Sequence, residues 1–140
     1  MVVAAISDLQ TLLKTMTPEL GRETFVFCTL PALSGATFEA LSPVVTVREA
    51  EGVTVVVTRE TAKSQGPDAS APMRMISLAV TSDLAAVGLT AAFATALTEA
   101  GVSANVVAGY YHDHIFVPDH QAENAMSAIA ALQSRAQDHS

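Results

Sequence analysis

The chain has 140 residues, of which half are hydrophobic and 15% are charged, and its formal net charge is −7. Length and composition predict one domain or two small modules around a well-packed core. The excess of acidic residues excludes binding to nucleic acid or to an anionic membrane surface, because both kinds of binding need a basic patch. No apolar run approaches the roughly 18–20 residues that span a membrane, and the amino-terminal residues lack a signal-peptide pattern. We therefore expect a cytoplasmic protein.

The first half of the chain begins with a predicted helix and a predicted strand. Apolar residues at helical spacing predict a helix over residues 7–16. Thr17 and Pro18 end it, because the residue before a proline avoids the helical region. Residues 23–30, ETFVFCTL, are rich in β-forming residues and predict a buried strand. The lone Cys28 lies in this strand, which predicts a buried thiol and excludes an internal disulfide.

The middle of the chain alternates between breakers and β-branched runs. Residues 31–43 contain two prolines and a glycine and predict a loop with at most one helical turn. Two β-branched runs, residues 44–48 and residues 53–58, flank a short turn and predict a hairpin. At most a short helical piece follows. Residues 64–72, SQGPDASAP, have the composition of a linker, so we place a module boundary there.

The second half has a clearer order of elements. Alternating side chains predict a strand over residues 75–81, and a small-residue helix then runs to Gly101, which suits the left-handed position at a helix end. Two further strands are predicted over residues 105–108 and residues 111–117. Asp119 is placed to cap a final helix.

Element order therefore predicts two related modules, residues 1–70 and residues 71–140. The second reads β-α-β-β-α. The first supplies strand, loop, strand, strand and a weak helix, so it is expected to be a degenerate copy whose first helix is eroded. This combination predicts the α+β fold class.

Three pieces of the second half resemble the ACT domain, a βαββαβ regulatory fold that binds amino acids. They are SDLAAVG at residues 82–88, AGVSANV at residues 100–106 and GYYHDHIFVP at residues 109–118. The resemblance is greatest to small stand-alone bacterial proteins of two tandem ACT-like units, related to the regulatory region of aspartate kinase. It implies a ferredoxin-like fold and a regulatory, amino-acid-binding function without catalytic activity or a cofactor.

The resemblance also implies where a ligand would bind, namely where two ACT units meet, at a site formed by the loop before the first helix and the strand after that helix. The matching residues here are Asp83, Val87 and Gly88 in the loop and helix start, and Ser103, Ala104 and Asn105 at the strand start. Backbone N–H groups at a helix start suit the carboxylate of an amino acid. Asp83 could pair with its ammonium group, and Asn105 offers a donor and an acceptor.

Each of these residues also has a purely structural explanation. Asp83 suits a helix cap, Gly88 permits close packing of its helix, and Asn105 can satisfy a turn. A ligand-free interaction module of the same fold is therefore the alternative function.

A second alternative rests on His112 and His114. Side chains alternate along a strand, so the two imidazoles share one face and could bind a metal ion with a third ligand such as His120. The favoured interpretation places them on the less buried sheet face or in a subunit contact, with no metal bound. Tyr110 and Tyr111 suit such a contact, because large amphipathic rings are useful at interfaces. We expect a homodimer, formed through sheet edges or helices.

Overall fold

A computed structural model describes residues 2–79 and 86–138 of the chain. The chain divides into two compact units. Unit 1 comprises Met1–Gly21 and Met75–Ser140, and unit 2 comprises Arg22–Arg74. Unit 1 is discontinuous, because the beginning of the chain joins the second half. The module boundary predicted near residue 70 stays a prediction.

The described residues form five α-helices and six strands. In chain order they are α1 (Val2–Thr15), β1 (Pro18–Leu30), α2 (Gly35–Leu41), β2 (Val45–Glu49), β3 (Gly52–Thr58), α3 (Arg59–Gln65), β4 (Met73–Ala79), α4 (Ala86–Glu99), β5 (Asn105–Ala108), β6 (His112–Pro118) and α5 (Ala122–Asp138). None of these helices combines the length and the apolar character of a membrane-spanning segment.

The sheet of unit 1 has the strand order β1-β4-β6-β5, with β5 and β6 antiparallel from Asn105 opposite Phe116 to Ala108 opposite Asp113. The run β4-α4-β5-β6-α5 supplies five elements of a βαββαβ unit. The beginning of β1 lies next to β4, where a ferredoxin-like unit places its last strand. The predicted α+β, ferredoxin-like fold class is confirmed.

The core of unit 1 lies between this sheet and three helices. Helix α1 packs against both α5 and α4. The most deeply buried side chains come from the strands and from the inner faces of α4 and α5, and they include Ile76, Leu78, Leu89, Phe93, Leu97, Ile115, Val117 and Ile129. Burial of this apolar surface is the main contribution that holds α1 to the second half of the chain.

Unit 2 repeats the same order of elements in a shorter form. Its strand order is β2-β3-β1. The predicted hairpin is confirmed by the pairing of β2 with β3, from Val45 opposite Val56 to Glu49 opposite Gly52. The place of the fourth strand is taken by a single bridge between Cys28 and Ala69. Next to it, the N–H of Ser70 donates to the carbonyl of Phe27 at 2.9 Å.

Helix α2 differs from the loop predicted for residues 31–43. It is a seven-residue helix whose N-cap is Ser34, and the hydroxyl of Ser34 accepts from the N–H of Thr37 at 3.1 Å. Ser42 ends the helix in the left-handed conformation. Caps of this kind stabilise short helices. Helix α2 is too short to show apolar periodicity in the sequence, and the prediction of a loop was wrong for that reason. Strand β1 also begins earlier than predicted, at Pro18.

Cys28 is buried as predicted, with 3% of its surface exposed. Burial raises the pKa of its thiol above the ordinary value, because the thiolate would lose its hydration. An unreactive core thiol is the consequence.

The last turn of α1 is held by a side chain of α5. The amide nitrogen of Gln133 donates to the carbonyl of Leu13 at 2.9 Å and also to the carbonyl of Met16. Carbonyls at a helix end lack hydrogen-bond donors within the helix. The Gln133 amide therefore satisfies two carbonyls that would otherwise be partly buried without a donor.

Replacing this side chain should therefore weaken unit 1. We expect Gln133→Ala to lower the free energy of unfolding by about 1 kcal/mol, the usual net value of such hydrogen bonds. Chemical denaturation checks it, with Ser134→Ala on the exposed side of α5 as the control. Equal stabilities of the two variants would show that the Gln133 contacts contribute nothing.

Candidate functional site

A cleft in unit 2, here called the hairpin cleft, lies beside the turn of the β2–β3 hairpin. Its volume is about 430 Å³. It is lined by the loop after β1 (Pro31, Ala32 and Leu33), by Thr46 and Arg48 of β2, by the turn residues 49–52, and by Val53. The loop that lines it lies between the first strand and the first helix of this unit.

Backbone geometry at the turn requires glycine. Gly52 has φ +154°, and a Cβ atom there would lie 2.5 Å from the carbonyl oxygen of Leu30. The turn is also fixed by a hydrogen bond from the hydroxyl of Thr54 to the carboxylate of Glu49. The part of the cleft lining that the turn supplies is therefore held in place by the hairpin.

The hairpin cleft combines three kinds of surface. Arg48 supplies a cation, and Glu49 and Glu51 supply carboxylates. Leu33 and Val53 supply apolar surface, and both pack against the core of unit 2. None of these residues was predicted as a site. The sequence signal that could have indicated this site is the Arg48-Glu49 pair, which lies directly before a turn. In the structure, this pair faces the loop between β1 and α2.

The site predicted in the second half is only partly visible. Asp83 lies outside the described residues. Val87 lies in the first turn of α4, and the structure does not describe its side chain. A Cβ atom at Gly88 would lie 3.0 Å from Cδ2 of Leu9, so α1 passes very close to this point. Tight packing of α1 against α4 thus accounts for glycine at the third residue of α4, although glycine within a helix costs about 1 kcal/mol relative to alanine.

The other predicted residues lie at the edge strand β5. Ser103 and Asn105 are exposed, and Ala104 packs against the core of unit 1. Gly88 lines a groove of about 660 Å³ along α4 and α5, and the lining residues of this groove do not include residues 103–105. The six-residue site therefore stays a prediction.

A third feature, here called the sheet trough, lies on the sheet of unit 1. Alternate residues of three neighbouring strands line it, and its volume is about 360 Å³. They are Thr17 and Glu19 at the start of β1, Ser77 and Ala79 of β4, and His112 and His114 of β6. The prediction that the two histidines share one face is confirmed.

The imidazole of His114 is held in the trough by a hydrogen bond. Its Nδ1 lies 2.8 Å from the hydroxyl oxygen of Ser77 on the neighbouring strand. The ring centroids of His112 and His114 are 6.1 Å apart and inclined by 37°. Burial lowers the pKa of His114, the charge of His112 lowers it further, and Asp113 acts in the opposite direction. His114 is therefore neutral at neutral pH.

The metal-binding alternative finds no support in residues 2–79 and 86–138. Within these ranges no group of three or more histidine, cysteine, aspartate or glutamate side chains is gathered closely enough to hold a metal ion. His120 does not complete a site with the two trough histidines.

The turn between β5 and β6 presents two tyrosines to solvent. Tyr110 is 93% exposed and Tyr111 is 72% exposed, and their rings make an edge contact with centroids 4.8 Å apart. The turn is closed by the N–H of Gly109, which donates to the carbonyl of His112 at 2.8 Å. Exposed aromatic surface of this size is typical of an interaction site.

Comparison with known proteins identifies the fold family. Two family models, both described as ACT domain, match residues 4–74 and residues 70–131. The chain belongs to the ACT domain family. A search of the curated proteins finds no match to the sequence. The predicted resemblance to a stand-alone protein of two ACT units is thus confirmed.

Two solved structures have an architecture similar to that of this chain. A Vibrio cholerae protein of unknown function, described as a possible transport protein, is 46% identical with a TM-score of 0.82, over 92% of this chain and 98% of that one. The regulatory subunit of aspartate kinase from Thermus thermophilus, in a ligand-free form, is 12% identical with a TM-score of 0.66, over 86% and 97% of the two chains. The second likeness shows the fold alone.

The lowered pKa of His114 can be measured directly. We expect its imidazole to titrate below the ordinary value of 6.5 in an NMR titration. His112→Asn should raise the pKa of His114, because it removes a neighbouring charge. The unfolded chain then binds more protons than the folded one below the ordinary pKa, so stability should fall as the pH decreases through that value toward the folded pKa. A pKa of His114 at or above 6.5 would contradict this environment.

Proposed function

We propose that this ACT protein is a non-catalytic regulatory protein that binds a free amino acid. The observation that supports the proposal is the composition of the hairpin cleft, which places a cation, carboxylates and apolar side chains around one space. A free amino acid carries a carboxylate, an ammonium group and a side chain, so each kind of surface has a counterpart on the ligand.

The charged groups of the cleft define how the ligand would lie. The guanidinium of Arg48 offers paired N–H donors to the ligand carboxylate. Glu51, at the tip of the turn, offers a carboxylate to the ammonium group, while Glu49 already accepts a hydrogen bond from Thr54. Leu33 and Val53 would contact a small aliphatic side chain.

Unit 1 would offer a second site. The residues proposed to form it are those predicted from the sequence: Asp83, Val87, Gly88, Ser103, Ala104 and Asn105. In both units the position is the loop between the first strand and the first helix. Occupancy of one or both sites would be passed to a partner protein or to the assembly of the protein itself, in the cytoplasm.

The proposed assembly is a homodimer that uses the exposed tyrosines. The alternative function, an interaction module without a ligand, shares this surface and differs only in the role of the clefts. Ligand binding and dimer formation therefore need separate experiments.

Binding is tested by thermal denaturation with each free amino acid at about ten times its dissociation constant. Ligand at that excess contributes about 1.4 kcal/mol, which raises the Tm of a chain of this size by roughly 3–5 °C. Arg48→Gln should abolish the increase, whereas Arg59→Gln, outside the hairpin cleft, should keep it. If no amino acid raises the Tm at about 10 mM, the ligand-free module becomes the better explanation.

Dimer formation is tested by light scattering coupled to size exclusion. We expect a particle of twice the 14.5 kDa of one chain. The double variant Tyr110→Ser, Tyr111→Ser should elute as a monomer, because it removes most of the exposed aromatic surface. Phe38→Ser removes another exposed aromatic side chain, 48% exposed on α2, and should leave the dimer intact. A monomeric wild-type protein would refute the assembly.

A further inference from the structure

The sheet trough has walls of different chemistry over a floor of small side chains. The central strand β4 contributes Ser77 and Ala79, which leave space above the sheet. Glu19 stands on the β1 side, and the imidazoles of His112 and His114 stand on the β6 side. Alternate residues of a strand share a face, so the β-sheet backbone fixes this arrangement.

Two polar side chains on the β1 side of the trough offer free hydrogen-bond acceptors. Neither the Glu19 carboxylate nor the Thr17 hydroxyl has a hydrogen-bond or ion-pair partner among the described residues. Ser77 orients the imidazole of His114 through the 2.8 Å contact. Glu19 is the acidic side chain of the lining, and the lining contains no lysine or arginine, so the trough favours a cation over an anion.

The charge of unit 1 favours the same sign of ligand. Of the chain's seven basic residues, unit 1 holds only Lys14 and Arg135, whereas it holds eight of the 14 acidic residues. A negative unit concentrates cations near its clefts.

We propose that the sheet trough is a binding site for a cationic primary amine. The ammonium group pairs with the Glu19 carboxylate and donates its remaining hydrogens to hydroxyl or imidazole acceptors of the trough. The carbon chain of the amine lies over Ala79. A metal ion fits less well, because the described side chains do not gather three ligands for it. The proposal goes beyond the proposed amino-acid sites, one of which is the hairpin cleft of unit 2.

The test uses 1,4-diaminobutane as the probe and 1,4-butanediol as its uncharged counterpart. We expect the diamine, and not the diol, to shift the imidazole NMR signals of His112 and His114 in a saturable way. Isothermal titration calorimetry should give one site per chain, with an affinity that decreases as salt increases.

Two variants separate the trough from general electrostatic attraction. Glu19→Gln should weaken diamine binding by about fivefold, in line with the loss of one exposed charge pair. Glu123→Gln removes the same charge from an exposed position of unit 1 outside the trough and should leave the affinity unchanged. Ala79→Val should abolish binding by filling the floor, and valine is favoured in a strand, so the fold is retained.

Three outcomes would overturn the proposal. Equal losses of affinity in Glu19→Gln and Glu123→Gln would indicate diffuse attraction to an acidic protein. Stoichiometric binding of Zn²⁺ that depends on His114, without diamine binding, would assign the trough to a metal. If about 10 mM diamine causes no shift of the imidazole NMR signals, the trough does not bind the amine with any affinity of interest, and the trough is left without a ligand. Arg48→Gln should not affect diamine binding, so failure of the amino-acid site is distinguishable.

Discussion

The packing of three helices on one face of a sheet is the constraint on which the rest of unit 1 depends. Ile76 and Leu78 of β4 and Ile115 and Val117 of β6 are buried among α1, α4 and α5. Because side chains alternate along a strand, burial of these residues directs Ser77 and His114 to the other face. A register shift of one residue would exchange the two sets. The polar trough is therefore a direct consequence of how the core is built.

Helices α1 and α4 approach each other closely at one point. Leu9 reaches the backbone of α4 at Gly88, and Gln133 of α5 holds the last carbonyls of α1. A helix from the start of the chain is thereby built into the core of its second half. This arrangement also explains why glycine is retained at position 88 despite its low helix propensity. The glycine serves the packing whether or not a ligand binds nearby.

Sequence patterns predicted the elements whose signals are local. The β2–β3 hairpin, the strand over residues 105–108 and the left-handed Gly101 at the end of α4 follow from β-branched runs, alternation and turn residues. Helix α2 was missed because it is defined by its caps. The position of α1 in the core of unit 1 could not be read from the sequence, since nothing in its apolar stripe specifies the surface it meets. The hairpin cleft and the trough likewise depend on strand order, which brings Glu19 beside Ser77 and His114.

The discontinuity of unit 1 has a consequence for synthesis on the ribosome. Unit 2 is one continuous segment, Arg22–Arg74, and its own contacts are complete once that segment has emerged. Helix α1 emerges before unit 2, yet α4 and α5, which cover its apolar stripe, are translated after unit 2. Domains generally fold as units during translation. Helix α1 is therefore buried only after unit 2 has been translated, and until then its apolar face is available to chaperones in the nascent chain.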